Sequence, residues 1–148
     1  MTIPIHSSSA EISPPVNLRE LPLSERHIRE LVRSFYERAR SDPGLRPVFE
    51  AAISDWDEHH RIVEDFWSRT LLGTHRYQGH PYPVHTQLPL KPEHFDRWLD
   101  LFQQTAREVL PTETASQAIA RAEHMAESFK AGMFTFTRSL QPSRGRPA

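Results

Sequence analysis

Apolar side chains recur at three- and four-residue intervals along most of the chain, which is the period of an amphipathic helix. Ser24 can cap the first of these helices, Gly73 can end the third, and Thr112 can cap the last. No stretch alternates apolar and polar residues as a strand does, so the pattern predicts an all-α fold. The predicted helices cover residues 24–41, 45–53 (a short turn), 55–72, 92–111 and 112–136.

A proline-rich stretch separates the third and fourth predicted helices. Gly79, Pro81, Pro83 and Pro89 exclude a long regular helix here, because each proline removes a donor and crowds the preceding turn. A long loop inside a compact domain is usually functional or disordered, and aromatic and histidine content favours order. The side chains concerned are His75, Tyr77, His80, Tyr82 and His85.

The chain of 148 residues has the length of one ordinary domain. The periodic pattern places that domain at residues 22–140. Residues 1–21 are rich in Ser and Pro, and residues 141–148 are polar, so both ends are predicted to be disordered tails.

Charge and composition exclude several classes of protein. With 18 Lys plus Arg against 19 Asp plus Glu, the chain has no basic footprint for nucleic acid or an anionic membrane. No apolar run approaches the length of a membrane-spanning helix. The absence of cysteine excludes disulfides, thiolate metal sites and a Cys nucleophile. Without a recognisable leader at the amino terminus, the cytoplasm is the expected location.

His85 has a local sequence suited to binding a metal cofactor. It follows Tyr82, Pro83 and Val84, so its imidazole is presented from an apolar backbone stiffened by proline. A neutral imidazole of this kind is what an iron porphyrin requires as its axial ligand. The abundance of flat aromatic side chains on the predicted helices suits a planar cofactor, although aromatic side chains alone more often only fill a core.

Several segments together resemble the truncated haemoglobins of the third group. The resemblance covers residues 27–137 and preserves the order and spacing of its parts. It implies a shortened globin fold, a two-over-two helical sandwich around haem b, with His85 as the proximal iron ligand. The segments that carry it are FYERARSDPGLRPVFEAAI, DWDEHH, FWSRTLLGTHRYQGHP, HTQLPL and EHFDRWLDLF.

The same resemblance implies roles on the other, distal, side of the haem. Tyr36, Trp98 and His59 match the polar residues that face a bound ligand, and a phenol or indole donor can make a charge-assisted hydrogen bond to it. His59 can also ligate the iron when no external ligand is present. The expected haem contacts are Phe49, Val63, Phe66, Trp67 and Phe95.

The remaining basic residues divide less clearly. Arg76, His80 and Lys91, with His75, are candidates for contacts to the haem propionates, because carboxylates favour nearby cations. Four other histidines occupy helical positions where a solvated face is expected. These are His27, His60, His94 and His124.

The expected function is reversible binding of O2 and of other diatomic ligands such as NO and CO. Three polar distal groups can also support NO dioxygenation or peroxide reduction, since they polarise an O–O bond. Such turnover requires an electron donor, so it depends on a separate, unknown reductase, and the chain is not assigned as an enzyme by itself. A monomer or a weak homodimer is expected.

Two alternatives from other classes stay open. His60 and Glu64 stand four residues apart and can share a metal, as in a non-haem iron helical bundle, with His124 and Glu127 as a looser second pair. The other alternative is a cofactor-free helical interaction module, which leaves His85, Trp98 and Tyr36 without a purpose.

Overall fold

A computed structural model of the chain describes residues 17–79 and 88–135, and these ranges are helical with no strand. A 3-10 turn, Leu18–Glu20, comes before the first α-helix, and a π-helical turn, Ala131–Thr135, follows the last. The all-α prediction is therefore confirmed. The five α-helices are α1 (Glu25–Ser41), α2 (Arg46–Ala52), α3 (Trp56–Leu72), α4 (Pro92–Val109) and α5 (Thr112–Lys130).

Two helix pairs cross to form the domain. The first pair is α1 packed on α3, and the second is α4 packed on α5; α1 also contacts α4, and α3 contacts α5. This is the two-over-two arrangement. The short α2 packs on α1. Because every long helix touches two others, each buries its apolar face against neighbours on more than one side.

Two helix ends lie at the residues that the sequence predicts, and both ends of the last helix differ from the prediction. Ser24 precedes α1, and Gly73 ends α3 with a φ of 77°, a left-handed conformation that glycine adopts without strain. Thr112 was expected as the cap of the last helix but is its first residue. The last helix was expected to reach Phe136; α5 ends at Lys130, and Phe136 lies outside the described residues.

The apolar core divides into two clusters along α4 and α5. The larger cluster joins α1 and α3 to parts of α4 and α5. Its members on α4 begin at Leu101, and its members on α5 end at Ala122. The smaller one contains Phe95, Ala126 and Phe129, from the opposite ends of the same two helices. Partly buried Leu90, Met125, Met133 and Phe134 pack against the smaller cluster.

His27 corrects two sequence predictions. It was expected on a solvated face but is 1% exposed. Its Nδ1 accepts a hydrogen bond from the Ser24 N–H at 3.1 Å, and its Nε2 donates to the Leu18 carbonyl at 2.6 Å. The ring therefore joins the 3-10 turn to α1, and the end of the expected tail around residues 17–21 packs on the domain. Arg19 in this turn also donates to the Leu110 carbonyl at 3.4 Å.

None of the helices within residues 17–79 and 88–135 combines the length and hydropathy that a bilayer crossing requires.

Candidate functional site

Tyr36 lies at the centre of an aromatic group formed by α1, α2 and α3. It is 6% exposed, and its ring meets those of Phe35, Phe49 and Trp56 edge-on at centroid distances of 5.0, 5.5 and 5.7 Å. Edge-to-face contacts of this kind hold an aromatic ring in one orientation. Burial raises the pKa of the Tyr36 phenol, so the hydroxyl stays protonated and keeps its donor.

The Tyr36 hydroxyl is bonded to His59. The oxygen lies 2.7 Å from His59 Nε2, and the two rings meet at 81°. The donor depends on the imidazole tautomer. When Nε2 carries the proton, His59 donates to the phenol oxygen, and the Tyr36 O–H is left to donate elsewhere. Two of the three residues that the sequence resemblance places on the distal side, Tyr36 and His59, are thus in direct contact.

Trp98, from α4, belongs to a stack of three rings. Its indole lies nearly parallel to Phe102, with centroids 5.6 Å apart and planes at 13°. The Phe102 ring also stacks on Trp67 of α3, with centroids 4.8 Å apart and planes at 18°. Phe35 also packs on Trp98: the two ring centroids are 5.9 Å apart, and the ring planes meet at 73°. The indole N–H of Trp98 makes no hydrogen bond within residues 17–79 and 88–135.

A small cavity lies where these groups meet. Its volume is about 20 Å³, which accommodates a molecule the size of water or of a diatomic gas. Tyr36 and Trp98 supply the polar donors, and the remainder of the wall is apolar or aromatic. The sequence predicted Tyr36, Trp98, Val63 and Trp67 as site residues but not the other four, because the helical period of those four is that of ordinary core. The lining residues are Leu31, Val32, Phe35, Tyr36, Val63, Trp67, Trp98 and Phe102.

The remaining predicted haem contacts lie on different parts of the core. Phe49 and Phe66 are partly buried at the edge of the larger cluster, and Phe95 belongs to the smaller cluster. Phe66 touches Tyr77 edge-on at 5.3 Å, and the Arg121 guanidinium lies 5.9 Å from its ring centre. His85 and His80 lie outside the described residues.

The chemistry of the described residues fits a haem group. The core is split into two clusters, and partly buried Trp98 and Phe66 flank one of them while Leu90, Met125 and Met133 flank the other. A flat apolar macrocycle lying against these side chains would remove them from water, which is the usual source of affinity in a cofactor pocket.

Arg76 and Lys91, two of the candidates for contacts to the haem propionates, differ in the contacts that they make within the structure. Arg76 donates to Glu25, Asp65 and Ser68 at 2.9, 3.0 and 2.9 Å, so its guanidinium is already satisfied by two carboxylates and a hydroxyl. These contacts raise the pKa of Arg76. Lys91 is exposed at the start of α4. A propionate contact from Arg76 would compete with the existing bonds, whereas one from Lys91 would not.

His60 and Glu64 do not form a metal site in this structure. Within the ranges that the structure describes, no group of three or more His, Asp or Glu side chains is placed to hold an ion. Glu64 instead pairs with Arg33 at 3.8 Å. The Nε2 of His60 is buried with no hydrogen-bond partner, and its ring packs against Tyr36 at 5.3 Å. Burial and the charge of Arg33 lower the pKa of His60, so the ring is neutral at pH 7.

Comparisons with known proteins agree with this architecture. The family model for bacterial-like globins matches residues 23–131. The group 3 truncated hemoglobin ctb of Campylobacter jejuni is 33% identical over 119 residues, which cover 77% of this chain and 94% of that protein. The group 2 truncated hemoglobin YjbI of Bacillus subtilis is 34% identical over 82 residues, or 52% of this chain and 60% of that protein.

A solved structure gives the same result for the fold. The crystal structure of the group III truncated hemoglobin from Campylobacter jejuni superposes with a TM-score of 0.73 at 33% identity, covering 78% of this chain and 94% of that one. The fold is thus that of a haem-binding globin. The chain belongs to the bacterial-like globin family, as a truncated haemoglobin of the third group.

Proposed function

We propose that the protein binds haem b through His85 and reversibly binds O2, NO or CO in the cavity beneath Tyr36 and Trp98. The observation that carries this proposal is the cavity of about 20 Å³ with two polar donors in an otherwise apolar wall. His85 enters from the resemblance to the third-group family, in which a histidine before the LPL segment is the proximal ligand.

When haem is bound, its ferrous iron supplies the coordination site for a diatomic ligand. The side chains of this chain then decide how long the ligand stays. Tyr36 and Trp98 donate hydrogen bonds to a ligand that carries partial negative charge, and such bonds contribute roughly 1.5–3 kcal/mol each. CO accepts hydrogen bonds poorly compared with O2, so the two donors favour O2 over CO.

His59 controls the availability of the Tyr36 proton. In the Nε2-protonated tautomer, His59 donates to the phenol oxygen 2.7 Å away, and the Tyr36 O–H is free to donate into the cavity. In the other tautomer the phenol donates to His59 and is withdrawn from the ligand. The pair therefore offers one donor to the distal side in the first tautomer and none in the second.

A second candidate function uses the same donors for chemistry on the ligand. Hydrogen bonds that polarise an O–O bond also assist NO dioxygenation or peroxide reduction. Such turnover needs electrons, so we propose an external reductase as the partner. The direct contact of Tyr36 with His59 favours this candidate, since it couples a ligand donor to a group that can take up a proton.

Titration of the haem-free protein with haemin, followed by absorption spectra of the ferric, ferrous and CO-bound forms, tests the proposal. We expect one equivalent to bind and the ferrous CO form to show the Soret band of a histidine-ligated haem. The matched variant His85→Ala should lose or shift that band, whereas His124→Ala, an exposed histidine on α5, should not. A folded protein that takes up no stoichiometric haem would overturn the proposal.

A further inference from the structure

We propose that Phe102 is a positioning residue for Trp98: it holds the plane of the indole so that its N–H faces a ligand in the cavity. This inference rests on the proposed function. It concerns a side chain that has no polar atom, touches the ligand donor directly, and lies one turn further along the same helix, α4.

The packing around Phe102 is unusually ordered for a core phenylalanine. Its ring is 2% exposed and lies almost parallel to both neighbours, Trp98 at 13° and Trp67 at 18°. A ring stacked on two aromatic neighbours tilts less freely than a ring among aliphatic side chains, because a tilt would disturb both stacking contacts. Trp67, itself 3% exposed, fixes Phe102 from α3, so the stack spans two helices.

Trp98 depends on this support. It is only partly buried, and its N–H makes no hydrogen bond within the described part of the chain. Within these residues, polar contacts therefore do not orient the indole. The contacts that do are the face of Phe102 and the edge of Phe35, 5.9 Å away. Phe35 restrains only one edge, so Phe102 supplies the surface that defines the ring plane.

All three rings of the stack line the ligand cavity together with Tyr36. Tilting the indole would therefore move its N–H relative to the Tyr36 hydroxyl and to any ligand between them. Hydrogen bonds weaken steeply as the donor angle departs from linearity. A substitution at Phe102 should therefore weaken the hydrogen bond from the Trp98 N–H to the ligand, rather than loosen the whole pocket.

A double-mutant cycle on the haem-loaded protein separates these two effects. The variants are Phe102→Leu, Trp98→Phe and the combination, and the measurement is the O2 dissociation rate by stopped flow. Trp98→Phe keeps a stacking ring but removes the N–H. We expect Phe102→Leu alone to raise the rate about tenfold, as Trp98→Phe does. In the Trp98→Phe background, Phe102→Leu should add little.

A merely structural role for Phe102 gives a different result. If its removal only enlarges the cavity or loosens the core, the effect of Phe102→Leu persists in full in the Trp98→Phe background, and the inference is overturned. An unchanged rate for Phe102→Leu also overturns it. Leu101→Ala is the control for packing loss, since Leu101 is 6% exposed on the same helix and does not line the cavity.

Two further measurements and a replacement variant complete the test. They keep it decisive if one variant does not fold or if haem is not bound. The C–O stretching frequency of the CO form should shift in Phe102→Leu as it does in Trp98→Phe. In the haem-free protein, the indole N–H resonance of Trp98 should shift or broaden in Phe102→Leu. An unmoved resonance contradicts the inference even if haem uptake fails. Should Phe102→Leu not fold, Phe102→Met, whose flexible side chain fills irregular gaps in a core, replaces it.

Discussion

Asp42 at the end of α1 and Arg97 in the first turns of α4 form an ion pair, with Arg97 Nε donating to Asp42 Oδ1 at 2.7 Å; the Asp42 side chain is buried, and the Arg97 side chain is 48% exposed. The other carboxylate oxygen of Asp42 accepts the N–H groups of Gly44 and Leu45, each at 3.0 Å. One carboxylate thus shapes the turn before α2 and binds the residue that precedes Trp98. The Asp42–Arg97 contact, which lies outside the pocket, therefore stabilises the distal side of the site.

This ion pair predicts a specific acid sensitivity. Burial acts to raise the pKa of Asp42, but the hydrogen bonds from Arg97 and the Leu45 N–H outweigh it and hold the pKa below its ordinary value. The stabilisation is therefore present above the unfolded-state pKa of about 4 and is lost as the pH falls through the lower, folded-state value. Asp42→Asn should lower the free energy of unfolding at pH 7 by about 1–2 kcal/mol.

Urea unfolding followed by circular dichroism at pH 7, 5, 4 and 3 checks the prediction. The wild-type protein should lose stability over this range more steeply than Asp42→Asn. Asp100→Asn is the matched control, because Asp100 also bonds to Arg97, at 2.9 Å, but its side chain is 52% exposed. Parallel pH curves for wild type and Asp42→Asn would show that the carboxylate charge contributes nothing.

Tyr36→Phe should raise the O2 dissociation rate about tenfold or more, because it removes one hydrogen bond of at least ~1.4 kcal/mol to the ligand. The CO dissociation rate should change less. Tyr77→Phe is the same chemical change at a tyrosine that does not line the cavity, and it should leave both rates near the wild-type values. Equal O2 rates in wild type and Tyr36→Phe would mean that the phenol bonds only to His59.

The coordination state of the iron should depend on the same contact. His59 was considered as an iron ligand in the absence of external ligand, but its Nε2 is engaged by the Tyr36 hydroxyl. We therefore expect the deoxygenated ferrous protein to give a five-coordinate, high-spin spectrum. Tyr36→Phe removes this hydrogen bond and should increase the six-coordinate, low-spin fraction, and Tyr36→Phe/His59→Leu should abolish that fraction. A low-spin wild-type spectrum that persists in His59→Leu points to a different sixth ligand.

His60→Leu should preserve or increase stability, by up to about 1 kcal/mol. The buried Nε2 of His60 has no partner in the described structure, and an unsatisfied buried polar atom costs roughly 1–3 kcal/mol, whereas an apolar group of similar size does not. His124→Leu, on the exposed face of α5, controls for the general effect of replacing histidine. A loss of 2 kcal/mol or more in thermal or urea unfolding would indicate a bound water or ion at Nε2.

The positions of the helices were predicted from the sequence, but the contacts among their side chains were not. Apolar period and helix-end residues are local signals, and they located α1, α3 and α4 closely. Trp98 and Phe102 are also one helical turn apart, so their contact can be read from the chain. Trp67 joins that stack from another helix, and no local pattern specifies it.

His27 shows the same limit for polar residues. Its position in the first turn of α1 suited a solvated side chain, yet the carbonyl that it meets belongs to Leu18, nine residues earlier. Burial was decided by a turn that lies in a segment predicted as a tail. Ser and Pro content there described the composition correctly but gave no information about this single carbonyl.

The division of the core into two clusters predicts that the two ends of the domain differ in local stability before haem is bound. Among residues 17–79 and 88–135, most of the buried apolar side chains lie in the cluster that joins α1 to the other long helices, and Phe95, Ala126 and Phe129 form the second. The haem-free chain should therefore show graded amide hydrogen exchange, slow in α1 and faster towards the carboxyl end of α5. Cofactor capture would then act as the last step of folding, and it would stabilise the end of the domain that the polypeptide packs least.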